Sequence, residues 1–147
     1  MKETFIICIF VIFIYIFFTM NSNKFVLIEA NNGQKVRVND QIDSKGSANL
    51  LAEIIERMYK LRNHLKNNKD KYPKEIDCIE LLAKNFNEDR TQIYENSTSS
   101  DYTSYSVNKG EEVVFCLRSK KTNELHNINL MMYVAIHEMA HIGCHEI

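Results

Sequence analysis

The strongest constraint in the sequence is an unbroken apolar run near its start, FIICIFVIFIYIFF at residues 5–18. A helix of this composition is apolar on every side, which is typical of membrane or secretory segments. Residues 5–20, at about 1.5 Å per residue, span roughly 24 Å, so a signal-peptide h-region and a short membrane anchor both remain open. The TMNSN stretch that follows lacks an A-x-A-like cleavage pattern. We therefore expect an uncleaved, single-pass transmembrane helix at residues 5–20.

The composition of the 147-residue chain limits what the remainder can do. Lys and Arg number 18 against 19 Asp and Glu, which gives a formal net charge of −1 and no electrostatic reason to bind nucleic acid. The 45% hydrophobic content excludes a fully disordered chain. The four cysteines include no C-x-x-C pair, so neither a disulfide scaffold nor a four-thiolate zinc site is indicated. One domain, residues 24–147, is expected after the anchor.

The residue pattern predicts a small α+β domain with two β-hairpins. Strands at residues 24–30 and 34–39 flank Asn31-Asn32-Gly33, and strands at 102–107 and 111–118 flank Asn108-Lys109-Gly110. Apolar spacing predicts an amphipathic helix over residues 47–65, and Pro73 begins a second helix. A short strand at 91–94 and a flexible polar linker at 95–101 are expected between them and the second hairpin. A last helix begins after Asn127 and ends at Gly143.

The last helix contains His137-Glu138-Met139-Ala140-His141, which has the pattern H-E-x-x-H. Residues four apart lie one turn above each other, so both imidazoles can reach one Zn²⁺ ion at about 2.1 Å. Glu138 lies beside them, where a carboxylate can take a proton from a zinc-bound water and deliver it to a leaving amine. The motif therefore predicts zinc-dependent hydrolysis of a peptide bond, with Glu138 as the catalytic base.

A simpler explanation is that the two histidines are surface or hydrogen-bonded core residues. The composition gives a chance match to H-E-x-x-H in about one of 70 such chains. The helix that carries the motif is the context that a zinc site requires, and it favours the functional interpretation. His64 and His126 have no partner in the sequence pattern and are expected at the surface.

The strand at 113–118, the polar linker and the helix at 130–141 together resemble minimal zincin metallopeptidases, especially the WLM and SprT-like families. The resemblance covers about 35 of the 147 residues. It implies that His137 and His141 are zinc ligands and that Glu138 is the general base. It also implies that the strand at 112–117 is a wall along which an extended peptide lies.

The third zinc ligand departs from these families, which place it C-terminal to the second histidine. Six residues follow His141, and the position of the metzincin third histidine is occupied by Ile147. The remaining candidates are Cys144, His145 and Glu146, with His145 taken as the expected ligand. On an unbroken helix His145 lies about 12 Å from His137, so a turn at Gly143 is required. A ligand from elsewhere, or from a missing C-terminal segment, is the alternative.

These features together predict a membrane-anchored, zinc-dependent metallopeptidase-like protein. Its expected cofactor is Zn²⁺, and its expected partners are a lipid bilayer and a protein or peptide substrate, without nucleic acid. One alternative is a non-catalytic, membrane-tethered module whose H-E-x-x-H motif is degenerate. A second is a soluble protease acting on nucleoprotein, which the apolar run and the lack of basic charge disfavour.

Overall fold

A computed structural model describes residues 9, 11–14, 25–98, 100–101 and 103–144 of the chain. Within residues 25–144 a mixed five-stranded sheet packs with three α-helices. The strands are β1 (Phe25–Glu29), β2 (Lys35–Asn39), β3 (Gln92–Glu95), β4 (Tyr105–Val107) and β5 (Glu112–Phe115). The helices are α1 (Ser44–Asn67), α2 (Ile76–Asn85) and α3 (Ile128–Gly143), with a short 3₁₀ helix at Lys69–Lys71. This arrangement agrees with the predicted mixed α+β domain.

The transmembrane helix predicted at residues 5–20 is a point of correction. Most of that segment lies outside the described residues, and its described part, residues 9 and 11–14, is helical. Across the described part of the chain, no helix combines the length and the apolar character needed to cross a bilayer. Helix α1 has 24 residues but carries a charged face, and α3 has 16 residues, which span about 24 Å.

Helix α1 supplies the central part of the core. The Asp43 side chain caps its first turn by accepting a hydrogen bond from the Gly46 amide at 3.1 Å. The apolar stripe predicted from the sequence faces inward, since Leu51, Ile54 and Met58 are fully buried. This stripe packs against the sheet and against α2 and α3, so α1 is the element on which the site helix α3 rests.

The strands lie in the order β1-β2-β3-β5-β4. The two predicted hairpins are present, with β1 antiparallel to β2 and β4 antiparallel to β5. The turn of the second hairpin requires left-handed backbone at Asn108, Lys109 and Gly110, with φ values of 47°, 56° and 93°. Strands β2, β3 and β5 run parallel. The chain returns through α1 and α2 between β2 and β3, and through β4 between β3 and β5.

The expectation that an extended peptide lies along the strand at residues 112–117 is corrected by the sheet order, because both sides of this strand are already paired. Strand β5 lies between β3 and β4 and is hydrogen-bonded to both. Its residues Val113, Val114 and Phe115 are fully buried. A hairpin pairs one side of β5 with β4, and the parallel β3 covers the other side. The strand at this end of the sheet is therefore β4.

The predicted flexible linker at residues 95–101 is also corrected at its start. Glu95 ends β3 and is 2% exposed, and Asn96 is 6% exposed. The Glu95 carboxylate accepts hydrogen bonds from the Asn39 amide at 2.8 Å and the Ser47 hydroxyl at 3.4 Å. Burial raises the pKa of Glu95 above its ordinary value, against the opposing effect of these hydrogen bonds and of Arg118. This polar cluster joins the ends of β2 and β3 to the start of α1.

Candidate metal centre on helix α3

Helix α3 is defined by clear local signals at both ends. The Asn127 side chain accepts a hydrogen bond from the Leu130 amide at 2.9 Å and caps the first turn. At the other end, the Cys144 amide donates to the Ala140 carbonyl oxygen at 2.8 Å, after the last helical residue, Gly143. The H-E-x-x-H motif therefore lies in the last two turns of a regular helix.

The two motif histidines converge on one point. The Nε2 atoms of His137 and His141 lie 3.0 Å apart, and the ring centroids are 4.6 Å apart with an interplanar angle of 89°. Two nitrogens that share one zinc ion lie at most about 4.2 Å apart, since each Zn–N distance is about 2.1 Å. The separation therefore fits joint coordination, and it equally fits a hydrogen bond between two neutral imidazoles.

Glu138 occupies a different environment from its two neighbours. Its side chain is 6% exposed, whereas His137 is exposed and His141 is half-buried. Glu138 nevertheless lines two cavities, one of about 610 Å³ beside His137 and one of about 580 Å³ beside His141. A buried carboxylate is normally hydrogen-bonded. The interactions recorded among the described residues give the Glu138 side chain no hydrogen bond, so its oxygens are available to a ligand in either cavity.

The cavity beside His141 is open to solvent, and the second hairpin forms one of its sides. Its walls include Ser104, Tyr105 and Ser106 at the start of β4, and Lys109 in the following turn. The Lys109 amine donates to the His141 carbonyl at 3.5 Å and to the Cys144 carbonyl at 3.4 Å. Lys109 therefore ties the hairpin turn to the C-terminal end of α3, where a cation is favoured by the helix dipole.

Of the three candidates for the third zinc ligand, the structure describes Cys144. His145 and Glu146 lie outside the described residues. Together with Cys78, Cys144 lines a separate cavity of about 250 Å³ between α2 and α3. The neighbouring Cys78 thiol and burial raise the pKa of Cys144 to about 11. Within the described residues, no group of three or more His, Cys, Asp and Glu side chains could hold a metal ion.

Sequence reasoning missed several residues that line the two cavities. His126 was expected at the surface, but it is half-buried and lines the larger cavity. Ser104 lines both cavities, and its hydroxyl accepts a hydrogen bond from the Cys116 amide at 3.0 Å. The sequence signal for Ser104 was its position at the start of a strand that leads into a hairpin. That signal does not show which strand lies next to α3.

The comparisons with known proteins found a similar viral protein but no family and no solved structure. The chain is 39% identical over 100 residues to an uncharacterized protein of Acanthamoeba polyphaga mimivirus. The match covers 68% of this chain and 50% of the viral protein, so the chain spans about half the length of this curated relative. No protein-family profile matches the sequence, and no solved structure matches the fold.

Proposed function

We propose that this chain is a zinc-dependent metallopeptidase. The observation that supports the proposal is the 3.0 Å approach of the His137 and His141 Nε2 atoms beside the buried Glu138 carboxylate. Two converging imidazoles, beside a carboxylate that has no hydrogen-bond partner among the described residues, are among the groups that zinc-dependent amide hydrolysis uses. The membrane anchor is not part of the proposal.

His137 and His141 would hold the zinc ion through their Nε2 atoms. Catalytic zinc sites use three protein ligands, and the described residues supply these two. His145, immediately after the described part of the chain, is the proposed third ligand. When bound, zinc would supply Lewis-acid activation of the attacking water and of the peptide carbonyl.

Glu138 would act as the general base and then as the general acid. Its carboxylate lies between the two cavities and is open to a water molecule in either. In the proposed reaction a Glu138 oxygen accepts a proton from the attacking water as the carbon–oxygen bond forms. The same oxygen then donates that proton to the amide nitrogen as the carbon–nitrogen bond breaks.

The peptide substrate would bind along β4. Among the described strands β4 is an edge strand of the sheet. Ser104, Tyr105 and Ser106 line the cavity shared by Glu138 and His141. An extended peptide can add to a sheet edge through main-chain hydrogen bonds, which makes binding largely independent of sequence. The scissile bond would then lie next to the H-E-x-x-H helix.

One observation favours the alternative, a non-catalytic module with a degenerate motif. No three-ligand group occurs among the described residues, and a direct hydrogen bond between the imidazoles accounts for their approach.

Measurement of the zinc content of the purified protein separates the two functions. We expect the full-length protein, freed of metal and dialysed against zinc, to retain one zinc ion per chain. His137→Ala and His141→Ala should lose it.

The control for these variants is His64→Ala, which removes an exposed histidine of α1 far along the chain from the motif. It should keep the zinc content of the wild type. Glu138→Gln should also keep zinc but cleave unfolded casein about 10² to 10⁴ times more slowly, since only proton transfer is removed. Wild-type protein that folds and binds no zinc would contradict the proposal and support the degenerate module.

A further inference from the structure

The larger cavity, beside His137, has two walls of different chemistry. One wall is the exposed side of α3, including Leu130, Tyr133 and His137. The opposite wall comes from the segment that follows β5, and it carries basic, hydroxyl and imidazole side chains. These are Arg118, Ser119, Lys120, Lys121 and His126. Glu138 is the acidic residue of the lining.

The α3 wall leaves large apolar side chains in water. Tyr133 is 75% exposed and Leu130 is 45% exposed, and both lie within two turns of the motif. A substrate that enters the cavity would cover them, which gives apolar contact area without sequence specificity. The discriminating chemistry must therefore come from the opposite wall.

The cations of the opposite wall are not all neutralised. Arg118 lies 3.7 Å from the Asp43 carboxylate, so its charge is compensated. The Lys120 amine donates to the carbonyl oxygens of Ser100 and Asp101 at 2.8 and 2.9 Å, which are neutral acceptors. Lys121 is exposed. Among the described residues neither lysine is recorded in an ion pair.

The backbone that carries these two lysines is ordered by local hydrogen bonds. Arg118 and Leu125 form a β-bridge that closes a tight turn over residues 119–124. Within it, the Ser119 hydroxyl accepts hydrogen bonds from the Lys121 and Thr122 amides at 3.3 and 3.2 Å. The carboxylate of Glu124 is paired with the Thr122 hydroxyl at 3.2 Å. The turn thus orders the backbone of Lys120 and Lys121, which both line the cavity.

We propose that this cavity is a specificity pocket that binds a carboxylate of the substrate, with Lys121 as the main recognition residue and Lys120 in support. The inference rests on the proposed peptidase function and names its substrate class: peptides that carry an acidic group next to an apolar residue. The carboxylate comes from an Asp or Glu side chain or from a peptide C-terminus, and blocked and free termini distinguish these sources.

The test measures binding and not cleavage. Full-length Glu138→Gln protein with zinc is titrated with fluorescein-labelled alanine octapeptides that contain a central Tyr-Glu, Tyr-Gln or Tyr-Lys pair and blocked termini. We expect the Tyr-Glu peptide to bind about fivefold more tightly than the Tyr-Gln peptide, with the preference shrinking as salt is raised. A Tyr-Gln peptide with a free C-terminus tests the second source. Tighter binding of either carboxylate supports the pocket.

Lys121→Glu in the same background should abolish the preference for Tyr-Glu and favour Tyr-Lys. Lys66→Ala, which removes an exposed lysine of α1 outside the cavity lining, should leave the preference intact. Equal affinity for acidic and neutral peptides, or a preference that survives Lys121→Glu, overturns the inference. A preference that persists in a protein that binds no zinc leaves the pocket standing and removes the peptidase function, so the two failures are distinguishable.

Discussion

A β-carbon at Gly143 would lie 2.9 Å from the carbonyl oxygen of Cys78 and 3.0 Å from the β-carbon of Leu82. Gly143 is the last residue of α3 and is buried against α2. The sequence predicts this glycine as a helix stop. Its contacts give it a second role, since they let the backbones of α2 and α3 approach closely just after His141.

Gly143→Ala should therefore destabilise the domain by about 1 to 3 kcal/mol, because a backbone oxygen cannot move away as a flexible side chain can. In a helix without this contact the same change stabilises by up to about 1 kcal/mol, so the sign of the effect is informative. Urea unfolding measures it. A Gly143→Ala protein as stable as the wild type would show that α2 and α3 separate without cost.

Lys109 is expected to stabilise the end of α3. Its amine reaches the carbonyl oxygens of His141 and Cys144, and a cation at a helix C-terminus contributes about 0.3 to 1 kcal/mol. Lys109→Met keeps the length of the side chain and removes the charge. We expect the melting temperature to fall at low salt and the deficit to shrink at high salt.

The comparison for this variant is Lys121→Met, which removes an exposed lysine that makes no hydrogen bond to a helix end within the described part of the chain. It should leave thermal stability close to that of the wild type. A similar loss in both variants would mean that the effect comes from net charge and not from the end of α3.

The sequence predicted the features that depend on nearby residues. Apolar spacing located α1, and the Asn-Asn-Gly and Asn-Lys-Gly turns located both hairpins, because helix periodicity and turn geometry are set within a few residues. The H-E-x-x-H spacing correctly placed His137 and His141 on one helix face for the same reason. These predictions required no knowledge of distant contacts.

The features that the sequence could not predict depend on distant partners. Strand β5 is internal because β3, about 20 residues earlier in the chain, pairs with it in parallel. The sequence predicts Glu95 as part of a polar linker. Its burial depends on Asn39 and Ser47, which are 56 and 48 positions away along the chain. Local polarity alone cannot identify such partners.

Glu95 should make stability depend on pH in a predictable direction. Its pKa is raised in the folded protein, chiefly by burial. Above the ordinary glutamate pKa of about 4.3, the unfolded chain loses this proton while the folded chain keeps it. The free energy of unfolding therefore falls as the pH rises from the ordinary pKa of glutamate to the raised pKa of Glu95.

Glu95→Gln should flatten that part of the stability curve, since the amide oxygen still accepts the Asn39 hydrogen bond and no proton is exchanged. The measurement is urea unfolding at several pH values above 4. Glu124→Gln, an exposed change, is expected to keep the wild-type slope. An unchanged slope in Glu95→Gln would assign the pH dependence to another group.

The third zinc ligand gives the last prediction, which compares two adjacent residues. Cys144 and Cys78 line the cavity between α2 and α3, which neither His137 nor His141 lines. Cys144→Ser in the full chain should therefore keep zinc. His145→Ala should weaken zinc affinity more strongly, because it removes a ligand. The expected loss exceeds the roughly 10- to 100-fold that follows from removing an outer-shell partner. Competition with a chromogenic chelator measures both affinities, with His141→Ala as the reference for a lost ligand.

Zinc binding that survives His145→Ala would exclude His145 as the third ligand and leave Glu146 or a ligand from elsewhere. Loss of zinc in Cys144→Ser would show that the Cys144 thiol binds the metal instead of remaining in the cavity between α2 and α3.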